Sequence, residues 1–289
     1  MSGEAVAYGA VTIVNAMATG RGAAFGIDLW TKARVDLTND GIIKATILND
    51  EAEKTTLAEK CAEVVFEHFG KQGLGGRILT ESNIPIARGL KSSSVAANAI
   101  VLAMLAAFGK RLRPSEILEL AVKASLEANV TVTGGFDDAA ASLHGNVVVT
   151  DNTSRKILRS FPVEDYVVLL FVPPEKWYTA NVDLDRIKTV AKQVEIAHKE
   201  ALAGYYWNAM TLNGMIYAHV LRLPTDIIIE GLRAGAIAAG ISGKGPAYAF
   251  VAEQRCTDEI LEVLKKSEGE VIVSKTRQHT SFLAELVKT

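Results

Sequence analysis

The sequence predicts an α+β fold in two parts, and three observations carry that expectation. A chain of 289 residues can bury one large core or two smaller ones, and its 49% hydrophobic and 22% charged residues describe a folded, soluble protein. A polar break, Asp151-Asn-Thr-Ser, interrupts the chain near its middle and divides it into residues 1–152 and 153–289. Beyond the break the order reads strand, helices, strand, helix, strand, which is an α/β sandwich; before it, strands and helices alternate as a β/α domain.

The elements follow in order. Residues 4–15 read as β structure broken by Gly9, and Met17 to Asp28 as a glycine-punctuated loop carrying Arg21 between Gly20 and Gly22. Lys32–Leu37 and Ile42–Leu48 read as a hairpin around Asn39-Asp40-Gly41, a strong turn signal. Leu57, Cys61, Val64, Val65 and His68 have helical spacing ending at Gly70, and 76–82 is a short strand. The stretch 95–108 is small or aliphatic nearly all round, as in a buried helix. A further helix begins at Pro114, with proline in its first turn, and ends near Glu127. A glycine pair, Gly134-Gly135, then opens an alanine-rich helix behind Asp137 and Asp138, either of which is a candidate N-cap. Strands are expected at 146–150 and 166–172, helices at 183–203, 205–221 and 225–238, and a second glycine-rich loop over 239–250 running into a strand. The helix at 205–221 reads as core, through Trp207, Met210, Leu212, Met215, Ile216 and Val220. A helix at 257–266 and a strand at 270–276 close the order.

Composition excludes several classes of function. The formal net charge is −2 with no basic block, which argues against a nucleic-acid partner. The run at 95–108 is too short to span a bilayer, and the first residues lack the basic and apolar regions of a signal peptide. Only Cys61 and Cys256 occur, far apart and without nearby histidine pairs, so a reduced cytoplasm is the expected location. No feature specifies an oligomeric state.

Chemistry concentrates at loop–helix junctions. Pro85-Ile-Ala-Arg-Gly89-Leu90-Lys91-Ser92-Ser93-Ser94 leads straight into the buried helix. The start of such a helix carries unpaired N–H groups and partial positive charge; one serine would cap it, and three after a glycine loop suit a phosphate. Neither glycine-rich loop is a Walker A sequence, and no Gly-x-Gly-x-x-Gly joins a first strand to a helix. Glu127 at a helix C-terminus either points to solvent or meets a cation. A phosphate-binding helix start, a candidate metal carboxylate in Glu127 and a candidate base in Asp137 together suffice for phosphoryl transfer.

These residues resemble a family. Pro85-x-x-x-Gly89-Leu-x-Ser-Ser is similar to the phosphate-binding motif of the kinases named for galactose, homoserine, mevalonate and phosphomevalonate, the GHMP superfamily. Ser242-Gly243-Lys244-Gly245-Pro246 resembles its third motif, and Glu127 with Gly135-Phe-Asp137 its metal glutamate and catalytic aspartate. Lys91, where other branches carry glycine, and Gly134-Gly-Phe-Asp-Asp-Ala look most like the archaeal-type shikimate kinases. The usual first motif, Pro-Gly-Lys, is absent, and Tyr8-Gly-Ala-Val stands in its place.

The resemblance implies a nucleotide-binding N-terminal domain, a ferredoxin-like C-terminal one, and an active site between them. It implies ATP held by the amides of Gly89 to Ser94, and magnesium ligated by Ser93 and Glu127. Asp137 would take the proton of the acceptor hydroxyl, and Asp138 would support the helix start. Gly243 to Gly245 would line the transfer site, with Lys244 stabilising charge. The implied acceptor, shikimate, carries a carboxylate that Arg21 or Arg277 could bind in bidentate fashion. Homoserine kinase or another metabolite kinase of the superfamily remains an alternative, as does a non-catalytic nucleotide or metabolite sensor.

Overall fold

The structure, a computed structural model, describes residues 1–50, 52–175 and 183–279. Two sheets organise it. The first begins with β1 (Ser2–Val14) and β2 (Arg21–Thr38), long antiparallel strands whose register shifts at Tyr8/Gly9 and again at Thr12/Val14. The remaining strands are β3 (Ile43–Ile47), β4 (Gly75–Ser82), β5 (Val147–Asp151) and β6 (Lys156–Phe161), in the order β3-β4-β2-β5-β6. The second sheet contains β7 (Val167–Val172), β8 (Ala238–Ile241), β9 (Tyr248–Ala252) and β10 (Glu270–Lys275), in the antiparallel order β10-β7-β9-β8.

Helices α1 (Thr56–His68), α2 (Ser92–Phe108), α3 (Pro114–Glu127) and α4 (Phe136–His144) belong with the first sheet. Between β7 and β8 run α5 (Leu184–Lys188), α6 (Ala191–Leu202), α7 (Tyr206–Val220) and α8 (Asp226–Arg233), and α9 (Thr257–Leu264) precedes β10. The second sheet with its helices therefore has the ferredoxin-like order expected of it.

Helix α2 is the central post. Twelve of its seventeen residues are buried, which matches its all-round apolar sequence, and it packs on β1, β2, α1, α3 and α4. The largest core cluster joins this helix to α7 and to one face of the second sheet. In β7, Val168, Leu170 and Val172 enter that cluster, while Leu169 and Phe171 enter a second one with Ile228, Phe250 and Ile260. A strand buried on both faces needs apolar residues at every position, which is why 166–172 reads as an unbroken apolar run.

Four expectations change. The chain from 21 to 28 is strand rather than loop, since Arg21 opens β2 opposite Asp151. The Asn39-Asp40-Gly41 turn does not close a hairpin, because β4 lies between β2 and β3, antiparallel to the first and parallel to the second. The break at 152 falls inside the β5–β6 pairing, so the first sheet continues to Phe161. Ala238–Ile241 forms β8, so the expected loop begins only after Ile241. No helix among the described residues is long and apolar enough to cross a membrane.

Candidate active site

Two glycine-rich loops meet over a cleft of about 330 Å³. One is the loop before α2, the other the loop between β8 and β9. Ser242 Oγ donates to the Gly89 carbonyl at 2.9 Å, and Ala247 N–H donates to the Arg88 carbonyl at 3.1 Å. Gly89 makes this approach possible: its φ is +84°, and a Cβ there would lie 2.5 Å from the Ser242 carbonyl oxygen and 2.7 Å from that of Gly245. The buried Leu90 side chain pins the loop to the core.

Helix α2 then begins without a side-chain cap, because its N-cap is Lys91 in left-handed conformation. The first amide satisfied by the helix turn is that of Val95, from the Lys91 carbonyl at 3.2 Å. The earlier amides, at Ser92, Ser93 and Ser94, belong to residues that line the cleft, so the helix presents donors and partial positive charge there.

Helix α4 starts alongside in the same manner. Its N-cap is Gly135, also left-handed and without a side-chain cap, so neither aspartate caps the helix. Asp137 and Asp138 both lie in the first turn and both are buried. Asn152 Nδ2 donates to Asp137 Oδ1 at 2.7 Å. Gly22 leaves room for the other oxygen, since a Cβ at Gly22 would lie 2.5 Å from Asp137 Oδ2. The carboxylate is thus fixed from two sides, and the residue still lines the cleft. Asp138 Oδ2 accepts from Lys91 Nζ at 2.9 Å. Burial and the Asp137 charge hold the Asp138 carboxyl above the usual carboxylate range, against the pull of Lys91 and Lys244. Burial and the Lys91 charge lower the Lys244 ammonium to about 8, so it is largely protonated at neutral pH.

The far wall is built by Asn15, Ala16 and Met17, just after β1, with α7 bracing Asn15. Asn15 N–H donates to Asn213 Oδ1 at 3.1 Å, and Asn15 Nδ2 donates to the Gly243 carbonyl at 2.6 Å. Gly243 N–H donates to Thr12 Oγ1 at 2.9 Å, and Tyr217 Oη donates to the Asn15 carbonyl at 3.3 Å. These bonds fasten the second glycine-rich loop to the first sheet. The result is a groove with an uncapped helix start on one side and a fixed buried carboxylate on the other, an arrangement that can move a phosphoryl group onto a hydroxyl.

Residues 56–146 match the family described as "GHMP kinases N terminal domain". Over 273 residues the chain is 45% identical to a shikimate kinase of Methanosarcina acetivorans, covering 93% of this chain and 92% of that one. It is 42% identical over 272 residues to a shikimate kinase of Methanothrix thermoacetophila, covering 94% and 93%. The chain belongs to the GHMP kinases. Its fold also aligns with a mevalonate kinase of Methanococcus jannaschii at a TM-score of 0.76, with 17% identity and 96% and 98% coverage. A GHMP kinase takes ATP as its phosphoryl donor.

In this GHMP kinase the cleft brings together Gly89, Lys91, Ser92, Ser93, Ser94, Asp137, Gly243 and Lys244. Pro85, Leu90 and Gly245 are not among the residues that line it. Glu127 does not line it: at the end of α3, away from that helix's apolar stripe, its side chain is 40% exposed and lies 3.9 Å from Lys123. This is the solvent-facing arrangement. Arg277 is held elsewhere, with its guanidinium 3.2 Å over the Tyr8 ring and 2.9 Å from Asp28 Oδ1. Arg21 is 48% exposed, 4.0 Å from Asp151 and 3.7 Å from Glu195.

Sequence reasoning passed over Asn15, Asn152, Asn213 and Tyr217. Asn152 sits in the polar break that reads as a boundary, and Asn213 and Tyr217 sit in a helix that reads as core. A neutral polar residue inside an apolar run was the signal available for the last two.

Among the described residues no group of three or more His, Cys, Asp or Glu side chains could hold a metal ion. The oxygen donors that line the cleft include the Ser93 hydroxyl and its neighbours, the two aspartates and Glu53, a set that suits an ion arriving on a nucleotide. Magnesium keeps most of its waters and needs only one or two protein ligands. Glu127→Gln is therefore expected to leave the magnesium titration of activity unchanged within about twofold; a clear shift would bring Glu127 into the site.

Proposed function

We propose that this kinase phosphorylates shikimate on its 3-hydroxyl with ATP, yielding 3-phosphoshikimate and ADP. The observation that carries the proposal is the placement of Asp137. Its carboxylate is fixed by Asn152 and Gly22 beside the uncapped start of α2, in a chain that shares 45% identity with a shikimate kinase over nearly its full length.

The amides at the start of α2 hold the polyphosphate, and Lys244 adds positive charge where the transferred group gains negative charge. The Ser93 hydroxyl, which lines the cleft, would hold magnesium arriving with the nucleotide, and the ion would supply charge neutralisation at the phosphates. Asp137 orients the acceptor O–H and takes its proton. As that happens the acceptor oxygen bonds to the γ-phosphorus, the bond from γ-phosphorus to the β,γ-bridging oxygen breaks, and ADP leaves with that electron pair. The setting we propose is the cytoplasm.

Of the two arginines, Arg21 is the one we propose for the shikimate carboxylate. It precedes Gly22, the residue packed on Asp137, and its own ion pairs are long and exposed, so exchanging them for a substrate carboxylate costs little. Arg277 is committed to Tyr8 and Asp28. Arg21→Ala is expected to raise KM for shikimate about 10- to 100-fold, as for loss of a charged hydrogen bond, with KM for ATP unchanged. A rise in both constants would move Arg21 out of the acceptor site. The activity itself is tested by phosphorus NMR of an incubation with ATP, magnesium and shikimate. A phosphate monoester on the 3-hydroxyl supports the proposal, and recovery of unmodified shikimate contradicts it.

A further inference from the structure

Lys91 and Asp138 lie at the starts of two different helices, and the roles above use only the backbone of the first and nothing of the second. Lys91 takes a left-handed backbone, φ 64°, which is uncommon for a lysine. Its Nζ lies 2.9 Å from Asp138 Oδ2 and 2.8 Å from Oδ1, and the two side chains are only 10% and 12% exposed. A buried ion pair is a weak source of stability, because desolvating two charges offsets much of their attraction. Left-handed strain adds a further cost. What the pair does achieve is placement. It holds an ammonium group at the uncapped end of α2, next to the second glycine-rich loop, where a Cβ on Gly243 would be 3.2 Å from Lys91 Nζ. Lys244, one residue further on, lines the same cleft.

Two ammonium groups and two helix N-termini thus converge on one space. In the structure, Asp138 is the carboxylate paired with Lys91 there, and Asp137 and Glu53 line the same cleft. We infer that Lys91 and Asp138 work as one unit: the Lys91 ammonium binds the polyphosphate of the nucleotide, and Asp138 is the positioning residue that holds that ammonium over the start of α2 beside Lys244. The inference rests on the ATP half of the proposed function and is independent of the acceptor.

The test is a binding cycle read by calorimetry with a non-hydrolysable ATP analogue plus magnesium. Wild type, Lys91→Met, Asp138→Asn and the double variant are compared, with AMP as the control ligand. Each single change is expected to weaken analogue binding about 10- to 100-fold, the range for a lost charged hydrogen bond, and to leave AMP binding unchanged. The double variant is expected to bind within about twofold of Lys91→Met, because Asp138 acts through Lys91. Single-variant losses that multiply would overturn the inference, as would wild-type affinity in Lys91→Met, even if KM for the acceptor rose. A parallel loss of AMP binding would indicate collapse of the site and would equally overturn it. Should a neutral variant fail to fold, Lys91→Arg carries the test. With charge kept, it is expected to bind the analogue within about tenfold of wild type and AMP as wild type does; parallel loss of both would overturn the inference. Because only binding is read, failure to phosphorylate shikimate leaves the inference standing. Wild type that does not bind the analogue overturns it together with the ATP reading.

Discussion

Asp137→Asn is expected to lower kcat about 10²- to 10⁴-fold, the range for loss of a positioned general base, while KM for ATP changes less than about threefold. The substitution keeps the shape of the side chain. An asparagine oxygen can still accept from Asn152 Nδ2, the bond that measures 2.7 Å in the native site, and the amide fits the space that Gly22 leaves. What is lost is the charge that takes the proton. The neighbouring carboxylate makes the comparison sharp. Asp138 is tied to Lys91 and is held above the usual carboxylate range, so Asp138→Asn should act on nucleotide binding. Steady-state kinetics of both variants separates the roles. A mild Asp137→Asn with a crippled kcat in Asp138→Asn would exchange them.

Gly89→Ala is expected to abolish most of the activity for a different reason. The native φ of +84° costs an alanine about 1–2 kcal/mol, and the new methyl would meet two carbonyl oxygens of the second glycine-rich loop, at 2.5 and 2.7 Å. Backbone on both sides cannot rotate away as a flexible side chain can. The loops must part, the Ser242–Gly89 hydrogen bond breaks, and the start of α2 loses its alignment with Lys244. ATP affinity should fall at least tenfold, measured by calorimetry. Gly70→Ala supplies the control: its φ is +63°, but nothing lies within 4 Å of the added Cβ. It should lose about 1–2 kcal/mol of stability by thermal or denaturant unfolding and keep full activity. Equal loss of activity in both variants would mean that strain alone, without loop–loop contact, explains the Gly89 result.

The parts of the site that could be read from the sequence are those written in consecutive residues. A glycine, a run of hydroxyls and an all-round apolar helix announce the start of α2, and Gly134-Gly135 ahead of two aspartates announces the start of α4. Helix starts are local events, fixed by a few backbone conformations, so the chain itself carries the signal. The β7 strand was legible for a similar reason, since burial on both faces leaves an unbroken apolar stretch.

What the sequence concealed depends on partners distant in the chain. Glu127 and Lys123 share a helix face, and no local pattern says whether that face meets a cleft or solvent. Arg277 finds Asp28, 249 positions away, and Tyr8, further still. The Asn39-Asp40-Gly41 turn is chemically sound, yet a turn cannot specify that β4 will lie between the strands it joins. Asn152 illustrates the same gap at the site. In the sequence it belongs to a polar break; in the fold that break is the turn of a sheet hairpin, and its amide fixes the proposed base.

The central claim is tested most directly by coupled ADP release with ATP and magnesium, comparing shikimate, homoserine, mevalonate and galactose as acceptors. Turnover confined to shikimate, and lost in Asp137→Asn, is the predicted result. Turnover of another acceptor without shikimate would keep the phosphoryl-transfer site and contradict the assigned substrate. ADP release from none of the four would contradict the catalytic reading of the cleft with these acceptors.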